Sequence, residues 1–243
     1  MTETAEIPPY LQPFVLDPPA CEVERDGRLD RYLPGGPGPA PAVLLVHGGP
    51  VPADLRPTPR DWPVFAGYGR ALAARGVLAG TLDHRFHAPT QADLELAAGD
   101  IRAAVDALRT DARVDADRVA LWFFSAGGLL SGDWLGPAPE WLRCVALTYP
   151  LLAPPPGAPV ADRFSPVAMV TTGGTAPIVL TRVGRESPPI AATVAAFLDV
   201  APAGRVQVVD VPDGRHGFDQ IDHEPWAASA VTTALGAVVG HLA

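Results

Sequence analysis

The stretch Leu121-Trp122-Phe123-Phe124-Ser125-Ala126-Gly127-Gly128 decides the reading of this chain, because an apolar run stops at a serine and passes at once into small residues. A serine hydroxyl is a weak nucleophile in water. To react, it has to stand on a sharp strand-to-helix turn that exposes its oxygen and aims backbone N–H groups at the attacked carbonyl. Ser125 is the residue at that turn, and Ala126 supplies the next N–H. Taken alone, the same residues also read as a buried strand that ends in a Ser/Gly turn. The rest of the chain separates the two readings.

Upstream, Pro41-Ala42-Val43-Leu44-Leu45-Val46-His47-Gly48-Gly49-Pro50 is an apolar strand of parallel-sheet type followed by two glycines. Glycines let backbone N–H groups approach a ligand closely. Downstream, the strand Val206-Gln207-Val208-Val209-Asp210-Val211 opens into Pro212-Asp213-Gly214-Arg215-His216-Gly217-Phe218. A histidine between two glycines just after a strand is well placed to reach a serine. Together these segments resemble the α/β-hydrolase superfamily, with His-Gly-Gly after the third strand, a serine elbow after the fifth and a histidine after the eighth, in chain order Ser, acid, His. The resemblance spans roughly residues 21 to 243 and lies nearest the dienelactone-hydrolase-like and small-esterase branches.

The resemblance implies a mostly parallel eight-stranded sheet with helices on both faces, and a triad of Ser125, His216 and an acid. Dienelactone-hydrolase-like relatives carry Gly-x-Asp after the seventh strand, which Gly184-Arg185-Glu186 matches with a glutamate. Glu186 is therefore the expected acid, and Asp162, in the loop after the sixth strand, is the alternative. The oxyanion donors are expected at Ala126 and at Gly48 or Gly49, and Phe124, Pro50, Phe218 and Arg215 are candidates for the substrate pocket. The stretch Asp83-His84-Arg85-Phe86-His87-Ala88-Pro89 resembles the Asp-Tyr-Arg-Leu-Ala-Pro run of small esterases, with Asp83 and Arg85 expected as a structural pair. His47 is expected to brace the glycine turn, and Asp222-His223-Glu224 reads as a solvated cluster rather than a metal site.

The elbow departs from the family pattern. The usual sequence is Gly-x-Ser-x-Gly, but Phe123 stands two residues before Ser125. That glycine normally gives the following helix room against the strand, so the helix or its neighbours must shift. Phe124, just before the serine, is expected to form an apolar wall that favours an uncharged acyl or alcohol group.

Composition agrees with one α/β domain. The chain has 243 residues, 48% hydrophobic and 19% charged, enough for one sizeable core. A Pro-rich segment at 1–20 precedes the domain at 21–243. The net charge of −9 argues against nucleic acid, whose phosphates need a basic footprint. Cys21 and Cys144 are the only cysteines, too few for a disulfide framework and in keeping with a reducing cytosol. The acidic start Met1-Thr2-Glu3-Thr4-Ala5-Glu6 is unlike a signal peptide, and no apolar run approaches the roughly 20 residues that span a bilayer. A cytoplasmic protein with no membrane partner is expected.

Along the chain, Cys21 to Asp30 alternates and turns on Asp26-Gly27, a hairpin signal. Strands are expected at 43–47, 77–82, 118–124, 143–149, 177–182 and 206–211. Asp61 is expected to cap a helix to about Arg75 with Phe65, Tyr68 and Leu72 on one face, and further helices fill 91–110, 188–201 and 226–242. The Pro-rich stretch 151–176 is too short for a helical cap, which leaves the mouth open or roofed by loops and by the segment with Tyr10, Leu11, Phe14 and Val15.

The expected chemistry is cleavage of a small carboxylic ester by a serine hydrolase that needs no cofactor or metal. Thioesters and amides use the same machinery. The alternative on the same fold is a non-hydrolytic biosynthetic enzyme (lyase, cyclase or epimerase) or a binding protein with a silent triad. The sequence leaves the oligomeric state open.

Overall fold

The computed structural model describes residues 7–243, so the acidic start Met1–Glu6 lies outside the described residues. Eight strands form one sheet in the order β1-β2-β4-β3-β5-β6-β7-β8. They are β1 (Glu22–Asp26), β2 (Leu29–Leu33), β3 (Ala40–Val46), β4 (Leu78–Leu82), β5 (Val114–Phe124), β6 (Leu142–Thr148), β7 (Ile178–Arg185) and β8 (Val206–Arg215). The first two make the expected hairpin, and β2 runs antiparallel to β4. From β4 to β8 every neighbouring pair is parallel.

Parallel strands are covered on both faces, which is why β3, β4 and β6 read as near-continuous apolar runs. On one face α1 (Pro63–Ala73) and α6 (Pro225–His241) enclose Val43, Leu45, Trp122, Phe124 and Ala146. On the other, α2 (Gln91–Arg109) and α4 (Pro188–Val200) enclose Leu44, Val46, Leu121, Phe123 and Leu147. Two short helices, α3 (Pro166–Met169) and α5 (Phe218–Ile221), sit in the loops after β6 and β8. Among the described residues, the connection from β6 to β7 holds α3 and one 3-10 turn, Asp162–Phe164, and no cap subdomain.

Several elements differ from expectation. Asp61 caps nothing: α1 begins at Pro63, whose fixed φ suits a first helical turn, and the Asp61 carboxylate accepts from Arg25 at 2.5 Å. Asp83 and Arg85 do not pair. Asp83 binds Arg60 at 3.0 Å, and Arg85 donates to Asp100 at 2.6 Å. β7 and β8 run on to Arg185 and Arg215, past the ends of their apolar runs, and these two residues are register partners. The N-terminal segment docks through Phe14, which lies against Gly67 and packs at a tilt on Tyr68, ring centroids 4.8 Å apart, while the Val15 N–H donates to the Asp219 carbonyl in α5 at 3.0 Å. No helix of the described residues is long and apolar enough to cross a membrane.

Candidate active site

Ser125 follows β5 directly and has φ 51°, the left-handed region that a non-glycine residue enters at a cost of about 1–3 kcal/mol. The strain is held because the chain leaves a central strand and enters a 3-10 helix, Ser125–Trp134, in a single residue. The helix can start this close because Gly127 lies against the His47 carbonyl, where any Cβ would collide with that oxygen. Phe123, where relatives have glycine, is fully buried in one apolar cluster with Leu129 and Leu130 of the same helix. The departure is absorbed as packing, beneath a helix wound more tightly than α.

The serine Oγ lies 2.7 Å from His216 Nε2, and His216 Nδ1 lies 2.6 Å from Glu186 Oε2. Glu186 is the first residue after β7 and His216 the first after β8, so the Arg185–Arg215 register sets them side by side. The Glu186 side chain is 5% exposed and the His216 ring 35%. Burial pushes the Glu186 carboxyl up, but the hydrogen bond and charge of His216, with the Ser187 N–H at 2.7 Å, outweigh it and hold the group below its ordinary range. Asp162, the alternative acid, is exposed in the 3-10 turn after β6, and the Nδ1 position is taken by Glu186.

The glycine turn after β3 is braced by two buried histidines. His47 Nδ1 donates to the Gly48 carbonyl, and His84 Nε2 donates to the His47 carbonyl at 2.9 Å. Because carbonyls only accept, both tautomers are fixed, and His47 Nε2 and His84 Nδ1 are bare and unpartnered. The rings stack with centroids 3.6 Å apart. Burial drives both toward the neutral form, His47 well below its ordinary value and His84 to about 4. Gly48 in turn lies on the Ser125 turn: a Cβ there would sit 2.8 Å from Ser125 Cβ. Ala126 is the second residue of its helix, where backbone N–H groups have no intrahelical acceptor.

The pocket candidates fare differently. Pro50 is exposed on the loop after Gly49. Phe124 and Phe218 are 1% and 0% exposed, so neither offers a wall to a substrate. Strand alternation explains Phe124: it faces α1, edge-on to Phe65 at 5.2 Å and beside Tyr68 at 5.0 Å. Arg215 binds Asp222 through its side chain and through its backbone N–H at 3.1 Å, and it lines a cavity of about 560 Å³ with Ile7, Gln12 and His223 rather than with Ser125. Sequence reasoning misses Tyr149 and sees in Asp219 only a carboxylate too close to His216 along the chain to be favoured as the acid; both lie behind His216. A signal is present in Tyr149, an aromatic residue directly after a buried strand.

The chain has the α/β-hydrolase fold, and solved esterases share it. Thermogutta terrifontis esterase 2, in its apo form, superposes with a TM-score of 0.67 over 94% of this chain and 98% of its own, at 16% identity. The thermostable carboxylesterase EstE1, cloned from a metagenomic library, gives 0.70 over 94% of this chain and 92% of its own at 18%. Esterase B of Lactobacillus rhamnosis gives 0.68 over 88% and 80% at 20% identity. No protein-family model matches the sequence, and no curated protein is similar to it.

Proposed function

We propose that this chain is a serine hydrolase that cleaves a small carboxylic ester through an acyl-enzyme. The observation that carries the reading is the continuous hydrogen-bonded line from Ser125 Oγ through both His216 nitrogens to Glu186. Ser125 attacks the ester carbonyl while His216 takes its proton, then returns it to the departing alkoxide. Water, deprotonated by the same histidine, then releases the acid and regenerates the serine. Glu186 fixes the tautomer with Nε2 free to accept, and its charge supports the imidazolium. The N–H groups of Ala126 and of Gly48 or Gly49 receive the oxyanion, each worth about 3 kcal/mol in comparable sites.

A neutral, short-chain ester is favoured as substrate. The support is not an aromatic wall at Phe124 but the state of the cations: Arg85 and Arg215, the candidates for a basic anchor, are bound to Asp100 and Asp222, and Arg182 and Arg185, which precede Glu186, pair with Asp210 and Asp213. Esterases of the same fold have been solved with butyrate bound, phosphonylated by cyclosarin, and inhibited by a tributyrin phosphonate. A fluorophosphonate probe tests the proposal. Labelling mapped to Ser125, with hydrolysis of p-nitrophenyl butyrate lost in Ser125→Ala, supports it. Well-folded protein that neither labels nor hydrolyses would overturn it in favour of a non-hydrolytic or silent site.

A further inference from the structure

A second carboxylate lies behind the site and has no part in the mechanism above. Asp219 stands in α5, three residues after His216, and is 0% exposed. The Tyr149 hydroxyl donates to both of its oxygens at 3.0 Å, and the Tyr68 hydroxyl, from α1, donates to Oδ2 at 3.0 Å. Tyr149 is also the aromatic neighbour of the histidine: the ring centroids of Tyr149 and His216 are 4.8 Å apart, tilted by 53°. Its backbone, at φ 37°, is in the left-handed region, pinned by its N–H to the Thr181 carbonyl at 3.0 Å. A tyrosine is held in a costly backbone conformation, with its hydroxyl on a buried carboxylate and its ring beside the histidine.

We infer that Tyr149 is a positioning residue for the proposed triad, and that its ring, made electron-rich by the hydrogen bond to Asp219, is a cation–π platform for the His216 imidazolium. The inference rests on the serine-hydrolase reading for its catalytic meaning, but its geometry stands apart from it. A cation within about 6 Å of an aromatic centroid is attracted by the ring quadrupole. A phenol that donates to a carboxylate carries more negative charge on its face, so the neighbouring carboxylate strengthens the platform without touching the histidine. The groups that face the histidine are Ser125, Glu186 and Tyr149, with the Asp219 charge behind them, and those that face Asp219 are Tyr68, Tyr149 and, through its charge alone, His216. Burial lifts the Asp219 carboxyl to about 6, against the pull of the two hydroxyls, and pushes both tyrosines well above their ordinary values. At neutral pH the carboxylate therefore holds the charge and the phenols hold their protons.

The test follows His216 itself, by its ring resonances in a pH titration of the Ser125→Ala protein, so that it does not depend on turnover. Tyr149→Leu removes the platform, Asp219→Asn removes the charge, and Tyr149→Phe keeps the ring but cuts its link to Asp219. We expect the pH at which the His216 resonances change over to fall by about half to one pH unit in Tyr149→Leu and Asp219→Asn, and by less in Tyr149→Phe. In protein with Ser125 intact, Tyr149→Phe should lower kcat for p-nitrophenyl butyrate by roughly threefold to tenfold, leave KM unchanged, and move the acidic limb of the kcat/KM profile to lower pH. The mild Tyr149→Phe keeps the question open to refutation if the buried Asp219→Asn does not fold. An unmoved titration in Tyr149→Phe and Tyr149→Leu overturns the inference. Loss of fluorophosphonate labelling in the parent would sink the hydrolase reading while leaving this titration to be read.

Discussion

Acid should destabilise this protein through the two histidines that brace the glycine turn, and His84→Gln should remove a defined part of that sensitivity. His84 is 3% exposed, its Nδ1 has no partner, and burial brings it to about 4 from an ordinary value of 6.5. The folded state thus binds the proton less readily than the unfolded chain. Stability from the neutral ring is fully present above pH 6.5 and is lost as pH falls toward 4. At about 1.4 kcal/mol for each pH unit between those two values, the whole window is worth roughly 3 kcal/mol, a large fraction of the 5–15 kcal/mol that holds a typical domain. His47 has the same sign, while Asp219, with a folded value raised to about 6, opposes both between pH 6 and 4. Glutamine can still donate to the His47 carbonyl but cannot take a proton. Urea unfolding of parent and His84→Gln at pH values from 7 to 4 isolates the contribution of His84 together with its charge coupling to the stacked His47, because every other group is common to both. The parent should lose roughly 3 kcal/mol more than the variant across that range, at similar m-values. Parallel curves would refute the reasoning, since a His84 of ordinary acidity would be solvated and the tautomer argument for the loop would fall with it.

Three further outcomes follow from the site. Ser125→Ala and His216→Ala should each abolish most turnover, and the double variant should be little worse than either, measured as kcat on p-nitrophenyl butyrate; additive losses would mean that the two do not act as a unit. Glu186→Gln should cost roughly a thousandfold or more in kcat at unchanged fold, whereas Asp162→Asn, on an exposed turn, should behave as parent; the reverse result would move the acid to the loop after β6. Gly48→Ala places a Cβ 2.8 Å from Ser125 Cβ and should lower kcat on the order of a hundredfold, with circular dichroism unchanged; near-parental activity would show that the two turns are not in tight contact.

What is legible in the sequence is the part that rests on local chemistry. Apolar runs bounded by Gly and Pro locate β3 to β8, alternation and the Asp26-Gly27 turn locate the β1–β2 hairpin, and the order of serine, glutamate and histidine names the three side chains that the structure brings within hydrogen-bonding reach. What stays hidden depends on sidedness and on partners far along the chain. Phe124 reads as pocket wall because it adjoins Ser125, yet strand alternation sends it to the α1 side, and only a three-dimensional sheet says which side is which. Proximity along the chain pairs Arg85 with Asp83, but its carboxylate is Asp100 on α2, a partner that local spacing does not reveal. Asp61 has the chemistry of a cap and loses the place to Pro63, since a proline two residues on sets the helix start more firmly. Asp219 shows in the sequence only as a carboxylate too close to His216 to be favoured as its acid, and its actual role stays hidden because its two tyrosines lie 70 and 151 residues away.

The register of the sheet assembles the whole site, and it does so twice. Phe124 pairs with Thr148 at the ends of β5 and β6, a match reinforced by the Trp122 Nε1–H donating to Thr148 Oγ1 at 2.8 Å. The next residue on each strand is the one with positive φ, Ser125 on one and Tyr149 on the other, and the Leu151 N–H closes the gap by donating to the Ser125 carbonyl at 2.9 Å. Arg185 pairs with Arg215 at the ends of β7 and β8, and the next residues are Glu186 and His216. The carboxyl ends of parallel strands are where open α/β sheets gather their sites. Here the four neighbouring ends each supply one side chain, and two of the four bear backbone strain that the rigid strands behind them can hold. A one-residue slip between β7 and β8 would separate the glutamate from the histidine, and a slip between β5 and β6 would part the serine turn from Tyr149. The three side chains of the proposed triad and the aromatic neighbour of the histidine are thus fixed by backbone pairing before any of their side chains meet.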